Sequence, residues 1–140
     1  VSSTVGHELM NGHPYSDARF TQAHENIGQL LSILGTGDFM ELADLMESEA
    51  LTLHAMMMTS NPHFMLFKGG SVSVIRKVMK LRSQGKPISF TLDAGANVHL
   101  IYPQSFTQEA MDIIETEFVD FCQEGKYICD AIGQGPVSHD

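Results

Sequence analysis

Apolar residues recur along this chain in two rhythms, one helical and one extended. Phe20, Ala23, Ile27, Leu30, Leu31 and Leu34 fall at the three- and four-residue steps of a single helix face. Ser16 stands before them as an N-cap, Asp17 sits in the first turn where the helix dipole favours an anion, and Gly35 marks the stop. Asp38 opens a second helix, and Glu41 three residues on completes a capping-box-like pair. Its apolar stripe is Leu42, Leu45, Met46, Leu53 and the run Met56–Met58. The link between the two helices is so short that they should pack antiparallel. Asn61-Pro62 breaks the pattern, because the residue before proline is pushed out of helical geometry. A third helix covers Ser71–Ser83, with Val74, Ile75, Val78, Met79 and Leu81 inward and Gly85 then Pro87 closing it.

The rhythm then changes to two. Ile88, Phe90 and Leu92 alternate with Ser89, Thr91 and Asp93, and Val98, Leu100 and Tyr102 alternate with His99 and Ile101. Two short strands joined by Ala-Gly-Ala-Asn read as an antiparallel hairpin, with Gly95 free to take the positive φ a tight turn asks for. Pro103 ends it. Ser105 with Gln108 caps a fourth helix whose buried stripe is Ala110, Ile114, Phe118 and Phe121, and Gly125 stops that helix. "KYICDAI" reads as a last strand and "GQGPVSHD" as a tail; a short entry strand opens the order, and "VSSTVG" reads as a polar loop after a strand, or as hydroxyls at a strand end that hold phosphate oxygens. The order implies an α+β fold, with helices packed on one face of a small antiparallel sheet.

At 140 residues the chain is one domain, long enough to bury a core without disulfide staples. No apolar run approaches the roughly 20 residues of a membrane helix, and no signal-peptide pattern opens the chain. It begins at Val1 and not at methionine, so it is expected to be a fragment whose site is shared with other sequence. A net charge of −9 argues against non-specific binding to nucleic acid or to anionic membranes. Six of the eight basic residues lie between Lys68 and Lys86, which fits a solvated helix face with cations near its C-terminal end. Cys122 and Cys129 are too few for a disulfide framework and fit a reduced, cytoplasmic protein.

Most candidate sites have a plain structural reading. His7 and His13 flank "HELMNGH" six residues apart, which is not the spacing of a zinc-binding His-Glu-x-x-His helix, so no metal site is assigned. His54 lies on an apolar stripe and reads as a packing histidine; His99 lies on a strand near the turn. Met56, Met57, Met58 and Met65 are either core or an adaptable surface, and core is the commoner use. "FKGGSVSV" puts glycines before a helix but lacks the phosphate-loop spacing and a preceding buried strand. Asp93 is different. A turn needs a glycine and can use Asn97, but it does not need an aspartate while the strand is still extended, so Asp93 is either a turn-former, bonding the amides two residues on, or a residue aimed at something. Asp93 shares its face with Ser89 and Thr91, and the small residues beside it leave room for a ligand to approach the backbone.

"VSSTVGHEL", "LTLHAMMMTSNPHF" and "FTLDAGANVHLIY", in this order and at these separations, resemble the C-terminal domain of the diphosphomevalonate decarboxylases, members of the GHMP kinase superfamily. The likeness spans nearly the whole chain. It implies a ferredoxin-like GHMP C-terminal domain, facing a separate N-terminal domain across the active-site cleft. The implied reaction is ATP-dependent decarboxylation of mevalonate 5-diphosphate to isopentenyl diphosphate, with release of ADP, phosphate and CO2. By the motif, Asp93 is the catalytic aspartate at the substrate's C3 hydroxyl. Ser3, with Ser2 beside it, binds substrate, while Gly95 and Asn97 support the turn. Ala96 departs from the proline common in the family, which loosens the turn but removes no reacting group. The resemblance further implies ATP and Mg²⁺ bound mainly by the other domain, a homodimeric full-length protein, and no turnover from this fragment alone.

Two rival readings stay open at the level of sequence. A kinase of the same superfamily, acting on mevalonate or phosphomevalonate, would carry a glycine-rich loop where the Asp-Ala-Gly-x-Asn motif stands. A stand-alone ferredoxin-like binding module would use the basic third helix or the methionine-rich segment as its interface.

Overall fold

A computed structural model of the chain describes residues 8–133 and 135. Its elements are α1 (Ser16–Thr36), α2 (Phe39–Thr59), α3 (Gly69–Ser83), β1 (Ser89–Leu92), β2 (Val98–Ile101) and α4 (Thr107–Ile113). A 3-10 turn (Gln104–Phe106) leads into α4, which runs on as a π-helical turn (Ile114–Phe118) and two further 3-10 turns. The short entry strand and the polar loop expected at "VSSTVG", with Ser2 and Ser3, lie outside the described residues.

Local chemistry sets the helix ends. Ser16 is the first helical residue and not the cap; Tyr15 holds that position without a side-chain bond. The entry is anchored by buried His13. Its Nδ1 accepts the Tyr15 N–H at 3.2 Å, so the ring is neutral and Nε2 carries the proton donated to Thr59 Oγ1 at 3.1 Å. α1 runs past Gly35 and ends at Gly37, whose φ of 73° closes the helix and returns its N–H to Ile33. Asp38 caps α2 as expected, accepting from the N–H groups of Met40 and Glu41 at 2.8 and 3.1 Å. Ser105 does not cap α4; Thr107 begins it with no side-chain cap.

β1 and β2 pair antiparallel in the register Ser89–Ile101, Phe90–Leu100, Thr91–His99 and Leu92–Val98. Ile88, Phe90 and Leu92 form one buried cluster with Val74 and Val78 of α3 and with Phe106, Ala110, Ile114 and Phe118. The fold is thus α+β, helices on a small antiparallel sheet. α2 lies along β1: the Ser89 hydroxyl donates to Glu47 Oε1 at 2.8 Å. Ser89 is therefore fully buried, not on an open face.

Two further expectations are corrected. "KYICDAI" is not a strand: residues 126–133 have no regular structure, and Ile128 is 94% exposed. Alternation creates a strand only where a neighbour accepts its main-chain bonds, and among the described residues β2 pairs with β1 alone. The stripe of α1 faces outward. Arg19, Asn26 and Ile33, seven residues apart, turn toward α2, with Arg19 and Asn26 both bonded to Glu49. Phe20, Ile27 and Leu34 come one position later, about 100° round the helix. Phe20, Ile27, Leu31 and Leu34 are all more than half exposed.

Candidate active site

The hairpin tip is built from small residues and held from two sides. Asp93 leaves β1 with its side chain 91% exposed, free of this domain's helices. His99 Nε2 stands 3.5 Å from its Oδ2, and His99 lies directly across from Thr91 in the register. The Asp93 carbonyl accepts two bonds, from the Gly95 N–H at 2.7 Å and from His54 Nε2 at 3.0 Å. At the other end of the loop, the Ala96 carbonyl accepts from the Ser71 hydroxyl at 2.6 Å.

Gly95 is not in the left-handed region, so the turn does not use the freedom expected of it. A Cβ there would meet no atom within 4 Å, which leaves its surface open. The Asn97 side chain makes no hydrogen bond among the described residues; it lines a cleft of about 660 Å³ beside the loop. Gly70, Ser71, His99, Phe118 and Phe121 line the same cleft. Asp93 stands outside its lining, at the rim of the hairpin.

His54 was legible as a buried histidine, and it is one, stacked on Phe67 with ring centroids 4.3 Å apart and planes 8° from parallel. Its partner 39 residues on was not legible. Ser71 was expected only as a helix start. Near the other end of β1, burial pushes the Glu47 carboxyl above its ordinary value, while the Ser89 hydroxyl and Arg82 pull it back. Arg82 pairs with Asp44 and Glu47, Lys86 with Glu109, and Lys77 with Glu117. Half of the basic cluster is thereby tied to this chain's own acids. Both cysteines are free thiols.

The structure is an α+β domain with helices on a small antiparallel sheet and a carboxylate at the exposed tip of its pinned hairpin. The sequence profile described as "Mevalonate 5-diphosphate decarboxylase C-terminal domain" matches residues 1–136, and the chain belongs to that family. A curated relative, the phosphomevalonate decarboxylase of Haloferax volcanii, is 29% identical over 114 residues, which is 81% of this chain and 34% of the relative. The mevalonate pyrophosphate decarboxylase structure from Streptococcus pyogenes is 27% identical with a TM-score of 0.79, covering 84% of this chain and 38% of that one. A structure described as MDDEF in complex with MVAPP, AMPPCP and magnesium shares the fold at 23% identity and a TM-score of 0.80, over 86% of this chain and 37% of that one. The chain thus spans little more than a third of the relatives it matches.

Proposed function

We propose that this chain is the C-terminal domain of an ATP-dependent decarboxylase acting on mevalonate 5-diphosphate, and that Asp93 is its reacting carboxylate. The observation that carries the reading is the Asp93 side chain itself, held out to solvent on a loop tied down at both ends. A tertiary hydroxyl is a poor nucleophile and hydroxide a poor leaving group. Phosphorylation addresses the leaving group; the enzyme must orient the hydroxyl. An exposed carboxylate is an acceptor for that hydroxyl proton, and general-base help of this kind is worth about 10²–10⁴ in rate.

Ser3 and Ser2 would bind the substrate beside it, and Asn97 and Gly95 would shape the turn. Among the described residues no cluster of three or more His, Cys, Asp or Glu is placed to hold a metal. In this reading Mg²⁺ and ATP bind mainly in the remainder of the protein. The MDDEF complex with MVAPP, AMPPCP and magnesium supports that assignment of substrates. No helix of the described residues is long and apolar enough to cross a membrane. In this reading the enzyme is cytoplasmic. The outward stripe of α1 supports a homodimeric full-length protein. The chain alone should not turn over.

The Haloferax relative favours one second reading, in which the substrate carries a single phosphate. The test supplies the full-length protein with ATP, Mg²⁺ and either mevalonate 5-phosphate or mevalonate 5-diphosphate, and follows ADP and CO2. CO2 from the diphosphate, lost in Asp93→Asn, supports the first reading. CO2 from the monophosphate alone selects the second, and ADP without CO2 from either would replace both with a kinase.

A further inference from the structure

We propose that His54 and Ser71 are positioning residues for Asp93, setting where its carboxylate stands by fixing the main chain on either side of it. The inference rests on the reading of Asp93 as the reacting group and goes beyond it to the residues that aim it. Because the Asp93 side chain is almost wholly exposed, packing cannot hold it. Its position follows from the backbone. That backbone carries Ala94, Gly95 and Ala96, which bring little side chain to anchor with, and its internal bond is a single three-residue turn from Gly95 to Asp93.

The two outside bonds come from different helices. His54 belongs to α2 and is 1% exposed; Ser71 belongs to α3 and is 4% exposed. Each is a buried polar group that must find a partner, and each spends its donor on a loop carbonyl. Their donor directions are forced. A carbonyl only accepts, so His54 Nε2 must carry a proton. Ser71 Oγ accepts the Lys68 N–H at 3.3 Å, which leaves its own proton for Ala96. The Phe67 ring stacked on His54 restricts the imidazole's rotation, so the bond is aimed before any ligand arrives. The loop is thus strung between two helices, and its reacting end is the one held by the stiffer partner.

The experiment uses the full-length protein with mevalonate 5-diphosphate, ATP and Mg²⁺, and compares wild type, His54→Leu, His54→Gln, Ser71→Ala and Asp93→Asn. A displacement of about 1 Å can cost about a hundredfold in rate. His54→Leu should therefore lower kcat by about ten- to a hundredfold with KM within about twofold. His54→Gln should recover most of the loss, because its amide nitrogen reaches the same carbonyl. Ser71→Ala should give a smaller loss of the same kind. In the Asp93→Asn background His54→Leu should cost nothing further, since residues acting through one group are not additive. Amide exchange at Gly95 should quicken at least about tenfold in His54→Leu while Val78 stays protected.

An unchanged kcat in His54→Leu, no recovery with glutamine, or a loss that adds to that of Asp93→Asn would overturn the proposal. Absence of CO2 from the wild type would instead overturn the activity reading. Gly95 exchange would then still decide whether the two side chains hold the loop, and unaltered exchange would end that claim too.

Discussion

Arg19 on α1 and Glu49 on α2 meet in a two-point contact, Nη1 to Oε1 at 3.1 Å and Nη2 to Oε2 at 2.6 Å. The planar fork matches the carboxylate, and the Asn26 amide adds a third donor to the same group. This is the polar seam that seats α1, since its apolar row is turned elsewhere. Arg19→Ala should cost about 1–2 kcal/mol in urea unfolding, more than an exposed ion pair yields. A loss under about 0.3 kcal/mol would mean that α1 is held by something other than this seam.

Asp93→Asn separates chemistry from stability. Among the described residues the side chain pairs with His99 alone and is 91% exposed, so the folded state should change by less than about 0.5 kcal/mol. Turnover should fall by about 10²–10⁴ in the full-length protein. A large drop in Tm with that substitution would make Asp93 a structural residue.

Phe90→Ala should be the most damaging single truncation in the hairpin. Phe90 is fully buried between α3 and the α4 region, and emptying such a site costs about 3–5 kcal/mol. Leu31→Gln on the outer face of α1, where Leu31 is 68% exposed, should cost this chain less than about 0.5 kcal/mol. Chemical denaturation of both variants checks the pair, and a comparable loss from each would show that the stripe is covered within the chain.

Burial of Glu47 gives the folded state a pH dependence whose sign follows from the raised carboxyl. Its carboxyl is raised from 4.5 by burial, so in the window just above that value the folded chain holds more proton than the unfolded one. Stability then falls as pH rises through the window, and the loss is complete above the raised value. Glu47→Gln removes this contribution while keeping an acceptor for Ser89. Urea midpoints measured from pH 4 to 7 should therefore rise in the variant relative to wild type; a relative fall would reverse the assignment of burial as the dominant cause.

The hairpin, the three long helices and the Asp38 cap were legible because each is specified within about ten residues of sequence. Asp93 was a different case: turn chemistry left it open between a turn-former and a residue aimed at a ligand, and only the resemblance of its motif assigned it a role. What was not legible depended on what lies opposite. The spacing of Phe20, Ile27 and Leu34 reports that one face of α1 is apolar, but not what that face meets, and here Glu49 draws the adjacent polar row inward. "KYICDAI" carries a strand's alternation without a paired neighbour among the described residues. Ser105 offered a cap that a 3-10 turn made unnecessary. The two loop supports, His54 and Ser71, lie 39 and 25 residues from the carbonyls they bond, beyond the reach of any local pattern.

The outward row of α1 also sets the colloidal behaviour of the chain on its own. At a net charge of −9, copies repel one another over about 10 Å at 0.1 M salt. Raising the salt to 1 M shortens that reach to about 3 Å and leaves the greasy row untouched. The chain on its own should therefore stay dispersed in dilute buffer and associate through α1 as the salt is raised, which light scattering across a salt series checks.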